Sequence, residues 1–214
     1  MKELIQGILA GTAPSDHDTA SREALERLSS HFNGDLPHEL RSFDQPFRAA
    51  AVLLPLVERE SGLTVLLTRR TDTLPEHPGQ VAFPGGRVED HDDSVLDAAL
   101  RETEEEIGLP RYLVEPVGYL RPYLTITGFT VIPVVGFVAP DMPELVPDPT
   151  EVADIFEVPL EFLMNRDNHQ TETREFRGRL VTYYVIPYEG FTIWGATAAM
   201  LVDFIDQLHE AGGE

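Results

Sequence analysis

Apolar positions along the chain fall into short runs broken by polar or turn-forming residues, the pattern of strands interleaved with helices. Residues Ala20 to Phe32 (ASREALERLSSHF) have helical spacing, with Leu25 and Leu28 on one side. Gly34 to Gln45, with Pro37 and several polar residues, reads as a connector. Arg48 to Val57 (RAAAVLLPLV) and Leu63 to Thr68 (LTVLLT) are apolar runs separated by Glu58-Arg59-Glu60-Ser61-Gly62. That pairing predicts two strands joined by a hairpin, with Gly62 at the tight position. A polar loop, Arg69 to Pro78, follows, and then a short strand, Gly79 to Phe83, running into Pro84-Gly85-Gly86.

The next element is predicted to be a helix beginning near Ser94, where Asp97 three residues on gives a capping-box-like start. It ends at Gly108, and Pro110 forbids continuation. Val95, Leu96, Ala99, Leu100 and Ile107 can form its buried side. Val117 to Leu120 and Phe129 to Val138 read as strands, the second interrupted by Pro133. Val152 to Met164 mixes strand and helix signals around Pro159, Arg179 to Ile186 alternates as a strand, and Ala196 to His209 is a strongly amphipathic helix. There is no internal repeat. The sum is a single α/β domain, a mixed sheet covered by helices.

Composition narrows the classes. A chain of 214 residues with 42% hydrophobic residues suffices for one well-buried domain, or a domain with a terminal extension. No apolar run approaches the ~20 residues of a membrane span. The opening segment, MKELIQGILAGTAPSD, has one lysine and a brief apolar patch but not the charged region and core of a signal peptide, so a cytoplasmic location is the expectation. With no cysteine, disulfides, thiolate metal sites and a cysteine nucleophile are excluded. A formal net charge of −21 argues against nucleic-acid or anionic-membrane partners. An anionic substrate would then need bound cations to screen its approach. Every basic residue but Lys2 is an arginine, which suits forked contacts to phosphate.

The candidate chemistry lies between Gly85 and Leu109, GGRVEDHDDSVLDAALRETEEEIGL. Glu102, Glu105 and Glu106 stand at i, i+3 and i+4 and share one helical face. Like charges so arranged cost about a few tenths of a kcal/mol each, a cost that a divalent cation removes. Glu104 falls off that face and reads as solvent-facing. Glu89 reads as a structural loop acid, His77 as an ordinary loop histidine, and Trp194 as a core or hinge aromatic near the last helix. No Gly-x-Ser-x-Gly elbow and no P-loop is present, so acyl transfer and Walker-type phosphate binding have no support.

This run resembles the Nudix box, G-x5-E-x7-R-E-U-x-E-E-x-G-U with U aliphatic. Arg101-Glu102-Thr103-Glu104-Glu105-Glu106-Ile107-Gly108-Leu109 fits its second half, with Thr103 at an aliphatic position. Its first half carries one extra residue, so the upstream acid falls on Asp92 counted from Gly86, or on Asp93 counted back from Arg101. Leu66-Leu67-Thr68-Arg69-Arg70, Gly79 and Phe83-Pro84-Gly85-Gly86 resemble the signature of the coenzyme A pyrophosphatase branch of that family. Thr71 stands where that branch has serine or alanine, and Pro75 where it has arginine. TGFTVIPVVGFV, EVADIFEVPLEFL and IWGATA also look like this branch, so the resemblance covers roughly Ala50 to Leu201.

The resemblance implies a Nudix fold, an α/β/α sandwich around a mixed β-sheet, over residues 46–214, with 1–45 as an N-terminal helical extension. It implies hydrolysis of the diphosphate of CoA or acyl-CoA into 4′-phosphopantetheine and adenosine 3′,5′-bisphosphate. Mg²⁺ or Mn²⁺ would be held by Glu102, Glu105 and Glu106, oxygen ligands suited to hard cations. Arg101 would orient a carboxylate through its fork, that of Asp92, Asp93 or a glutamate of the next turn. Gly85 and Gly86 would let the backbone approach the ligand, and Arg70 would contact phosphate by family analogy. The general base would be one of the helix glutamates, Glu105 or Glu106, or Glu151 in the segment Asp148-Pro149-Thr150-Glu151. The implied partner is a small diphosphate, with no nucleic acid or membrane; a homodimer is compatible with the family, though no residue requires one. Pro75 motivates an alternative, a Nudix hydrolase of another nucleoside diphosphate such as ADP-ribose or NADH. A further alternative is a non-catalytic nucleotide-binding regulator on the same fold, against which the intact glutamates argue.

Overall fold

Two long strands, β1 (Arg48–Arg59) and β2 (Gly62–Arg70), meet at a tight turn and then part like the arms of a fork. Their antiparallel ladder runs from Arg59↔Gly62 to Leu56↔Val65. Beyond it the space between them is filled by residues 81–87. β3 (Val81–Ala82) pairs with the end of β2, and β4 (Gly85–Arg87) pairs with the start of β1. Pro84, which has no amide to donate, sits at the switch, and its carbonyl accepts from the Leu53 amide at 2.9 Å. The strand expected over Gly79 to Phe83 is therefore shorter, and the two glycines after it are themselves a strand. β2 also continues through Arg70, where a loop was expected.

The computed structural model describes residues 1–14, 16–31, 47–176 and 179–213. Phe32 and the connector expected over Gly34 to Gln45 lie outside them. The main sheet is mixed and eight-stranded, ordered β3-β2-β1-β7-β5. β5 (Val114–Tyr119) and β6 (Tyr123–Leu124) pair antiparallel with β7 (Phe129–Val138), which runs parallel to β1, and β8 (Val152–Pro159) lies antiparallel on the outer side of β2. Pro133 does not interrupt β7, because its carbonyl still accepts from the Leu120 amide at 3.0 Å.

Apolar side chains on the two faces of this sheet form two cores, which makes three layers. One core lies under α3 (Val95–Ile107) and contains Ala98, Ala99, Ile107, Leu53 and Leu66. The larger lies under α1 (Lys2–Leu9), α4 (Leu160–Met164) and α5 (Gly195–Gly212), with Leu54, Leu67, Phe137, Phe204 and Ile205 at its centre. This is the expected α/β/α arrangement. The amphipathic stretch from Ala196 forms α5, and the mixed signals around Pro159 resolve into β8 followed by α4. α1 forms over the brief apolar patch of the opening segment, and it buries Ile5 and Leu9. In α2 (His17–His31) the buried stripe is Ala20, Ser21 and Ala24, whereas Leu25 and Leu28 are only half-buried. Small residues face β7 there because the helix lies close to it: the Ser21 hydroxyl is 2.8 Å from that of Thr130.

A second, antiparallel sheet of three strands was only partly foreseen. It is ordered β11-β10-β9, with β9 at Gln170–Phe176, β10 at Arg179–Tyr188 and β11 at Phe191–Trp194. β9 is polar on nearly every position, so no alternation marks it. Among the described residues no helix is long and apolar enough to cross a membrane.

Candidate active site

The site is built where the fork between β1 and β2 faces α3. That helix starts as expected, with the Ser94 hydroxyl accepting from the Asp97 amide at 3.1 Å, a cap worth about 1 kcal/mol. It ends at Gly108 in the left-handed conformation (φ 69°), whose amide donates to the Glu104 carbonyl at 3.0 Å. Thr103, in place of an aliphatic residue, is buried and satisfied within the helix, donating to the Ala99 carbonyl at 2.6 Å.

Arg101 decides between the two upstream aspartates. Its Nε and Nη2 donate to the two carboxylate oxygens of Asp92 at 2.8 and 3.0 Å. Asp92 also accepts from the Glu89 amide at 2.7 Å, and its side chain has no accessible surface. Its pKa is lowered to about 2, chiefly by the Arg101 hydrogen bonds, partly opposed by burial. Asp93 is exposed and uses its amide on Asp97. The extra residue of the box is thus absorbed after Asp92, in the turn before the helix, and Asp93 bonds to Asp97 instead of Arg101. The remaining nitrogen of Arg101, Nη1, donates to Glu102 at 2.8 Å and Glu105 at 3.1 Å. One guanidinium therefore fixes three carboxylates.

The three glutamates do not present one uniform face. Glu105 is largely exposed; Glu102 is mostly covered and lies against the Gly86 backbone. Glu106 points the other way, into the fork, at 5% exposure. Its Oε2 accepts from the Gly85 amide at 3.1 Å, and Oε1 lies 4.0 Å from Arg70 Nη1. Burial pushes its pKa up to about 8 against the pull of Gly85 and Arg70, and the charges of Glu151 and Glu102 add to the rise. Burial also raises Glu102, offset by Arg101 and reinforced by Glu105 and Glu151. Glu104 is off this surface and pairs with Arg111, as its solvent-facing position predicts.

Both glycines face close contacts, of different kinds. A Cβ on Gly85, at φ 142°, would lie 2.4 Å from the Ala51 carbonyl oxygen and 2.6 Å from Val52 Cα. On Gly86 it would lie 2.4 Å from Glu102 Oε2, so the missing side chain is the space the Glu102 carboxylate occupies.

Glu151 comes from the loop before β8, which is tied to both sides of the site. The Thr71 amide donates to the Glu151 carbonyl at 2.9 Å, the Thr71 hydroxyl to the Thr150 carbonyl at 3.3 Å, and the Asp148 amide to the Glu106 carbonyl at 2.8 Å. In the sequence Thr71 stands out only as a departure from serine or alanine; no spacing signal reveals that it anchors this loop. Arg70 is largely buried, and its Nε has no hydrogen-bond partner. Pro75 and His77 lie exposed on the loop beyond, His77 at φ 57°.

Among the described residues no three acidic or histidine side chains converge closely enough to enclose an ion as they stand. The donor set nevertheless fits a hard divalent cation. It is all oxygen, it includes a buried carboxylate whose charge burial disfavours, and glycine leaves the backbone open beside it.

A family model of the NUDIX domain matches residues 46–180. A protein of Cronobacter sakazakii named uncharacterized Nudix hydrolase NudL is 41% identical over 187 residues, 87% of this chain and 95% of its own length. One of the same name from Escherichia coli O7:K1 is 42% identical over 162 residues, 75% of this chain and 83% of its own. Among solved structures, a MutT protein from Methanosarcina mazei Go1 superposes with a TM-score of 0.50 at 20% identity. That match spans 81% of this chain and 100% of the other, a likeness of fold alone. With a mixed sheet clasped between helices, an arginine-ordered acidic helix and these relatives, the chain belongs to the Nudix hydrolase family.

Proposed function

We propose that the protein hydrolyses the diphosphate bond of coenzyme A or acyl-CoA, giving 4′-phosphopantetheine and adenosine 3′,5′-bisphosphate. One observation carries this reading: Gly85, Arg70 and Glu106 meet in the fork. The two stretches resembling the CoA pyrophosphatase signature, Leu66–Arg70 and Phe83–Gly86, thereby join the Nudix helix at a single carboxylate.

Nudix hydrolases generally use divalent metals such as Mg²⁺ or Mn²⁺. Here Glu102, Glu105 and Glu106 would hold the ion. When bound, it supplies charge neutralisation and Lewis acidity toward the diphosphate oxygens. Arg101 holds and aims Glu102 and Glu105, and Asp92 in turn fixes the plane of Arg101. Arg70, beside Glu106, would bring a guanidinium charge to the substrate phosphate. Water attacks phosphorus as the P–O bond to the leaving phosphate breaks, and Glu151 accepts the proton of that water. Its loop is tied to both sides of the site, through Thr71 at the end of β2 and through the Asp148 amide to the Glu106 carbonyl.

Incubation of the protein with CoA and Mg²⁺ or Mn²⁺ tests the reading. Adenosine 3′,5′-bisphosphate is the expected product, and its absence at every metal concentration sinks the substrate assignment. A second reading, hydrolysis of ADP-ribose or NADH, is favoured by Pro75, which lies exposed where the branch has a cation. Turnover of ADP-ribose well above that of CoA would establish it.

A further inference from the structure

The second sheet carries an aromatic face that the catalytic reading leaves unused. β10 is apolar on both sides: Tyr184 and Ile186 pack into the main core, while Tyr183 and Val185 turn away from it. Trp194 stands across from Val185, and Glu172 across from Tyr183. Trp194 is therefore not a core aromatic, because strand alternation places it on the face opposite the buried Ile193; as the last residue of β11 it stands at the junction with the last helix, as expected. With Arg174 and Thr192, these residues line a hollow of about 220 Å³.

The rings of Tyr183 and Trp194 lie 5.8 Å apart, tilted by 59°. The Arg174 guanidinium spans them, 5.5 Å from the Tyr183 centroid and 5.3 Å from that of Trp194. Arg174 pairs with no carboxylate among the described residues, in a chain of net charge −21. The Tyr183 hydroxyl donates to Glu172 Oε2 at 2.8 Å, which leaves the other carboxylate oxygen as an acceptor at the rim. The outer face of an antiparallel sheet is ordinarily polar. Paired aromatic rings beneath an arginine are a stacking platform for a base on an anionic backbone. Pockets for whole drug-sized ligands run to about 300–1,000 Å³, so this hollow suits a single ring system. The strand that carries Trp194 packs beside β3 of the catalytic fork. β11 leads into α5, whose Thr197 hydroxyl donates to the Val81 carbonyl at 3.0 Å, and Val81 pairs with Arg69, next to Arg70.

We propose that this hollow holds the nucleobase of the substrate, laid on the face of Trp194 with Tyr183 and Arg174 at its edges. Glu172 accepts from an exocyclic amino group, so adenine is preferred over uracil. The proposal rests on the reading of the substrate as a nucleotide-bearing diphosphate.

Trp194 is the only tryptophan, so its fluorescence reports on the hollow without turnover. The full chain is titrated in chelator with AMP, UMP and ribose 5-phosphate, exciting at the red edge of tryptophan absorption. Saturable quenching by AMP is expected, with UMP weaker by about fivefold or more and ribose 5-phosphate silent. Arg174→Ala, at an exposed position, should weaken AMP by about fivefold or more. In kinetics, Trp194→Ala should raise KM by about tenfold with a much smaller change in kcat, the mark of lost ground-state binding. No saturable response to AMP, or an equal response to ribose 5-phosphate or to UMP, overturns the proposal. CoA cleavage without quenching leaves the function standing and removes this subsite. Quenching without cleavage of any CoA derivative does the reverse.

Discussion

The Glu106 carboxylate accepts a hydrogen bond from the Gly85 amide at 3.1 Å, which locks the buried end of the acidic helix to the fork between β1 and β2. Two residues 21 positions apart thus hold each other across the boundary between sheet and helix.

That contact predicts a pH signature. Glu106 titrates near 8 in the folded protein because of burial, against about 4.3 in an unfolded chain. Its folded pKa is raised, so the metal-free protein gains most from Glu106 below about pH 4 and loses that gain as pH rises through about 8. Urea midpoints of the metal-free protein should fall across that window, and Glu106→Gln should flatten the fall. Glu105→Gln and Glu106→Gln should each lower kcat by orders of magnitude with the fold intact. Unchanged turnover in either would show that the metal lies elsewhere.

The two glycines should fail differently. Gly85→Ala meets backbone atoms at a positive φ and should cost about 2 kcal/mol or more of stability, read from thermal unfolding. Gly86→Ala meets the movable end of Glu102, so stability should change by about 1 kcal/mol or less. Its Mn²⁺ affinity, read by titration calorimetry, should drop instead. Equal effects of the two substitutions on stability would contradict this assignment.

Asp92 and Asp93 separate cleanly. Asp93→Asn should change stability by about 0.5 kcal/mol at most, whereas Asp92→Asn should cost about 1–3 kcal/mol by stripping Arg101 of its buried partner. The Asp92 pKa is depressed to about 2. Its stabilisation is therefore complete above about pH 4 and lost as pH falls through about 2. Acid unfolding of Asp92→Asn should lack that step.

Arg101→Lys keeps the charge but loses the fork. A single ammonium cannot hold both oxygens of Asp92 while bonding Glu102 and Glu105. Metal affinity should fall by about 10–100-fold, as for other residues that orient ligands without touching the ion. A Mn²⁺ titration matching the parent protein would refute the role given to Arg101.

Much of this was legible in the sequence because it is local. The Ser94 cap, the Gly108 stop and the i, i+4 relation of Arg101 to Glu105 are separated by at most a few residues, and helical geometry alone brings them together. The acidic box, its glycines and the absence of cysteine chemistry likewise needed no tertiary structure. The α/β layering followed from the alternation of apolar runs.

Contacts distant in sequence were decided by the tertiary fold. Whether Asp92 or Asp93 meets Arg101 depends on how the turn absorbs one residue, and counting along the chain is symmetric between them. The inward turn of Glu106, the fork that brings Arg70 beneath it and the tie from Thr71 to the Glu151 loop all arise from strand pairing, which residue spacing does not encode. Trp194 faces outward because strand alternation sets it opposite a buried isoleucine. The sequence by itself determined the chemistry available to this protein; the pairing of β1, β2 and residues 81–87 decided which carboxylates are buried, paired or open to a substrate.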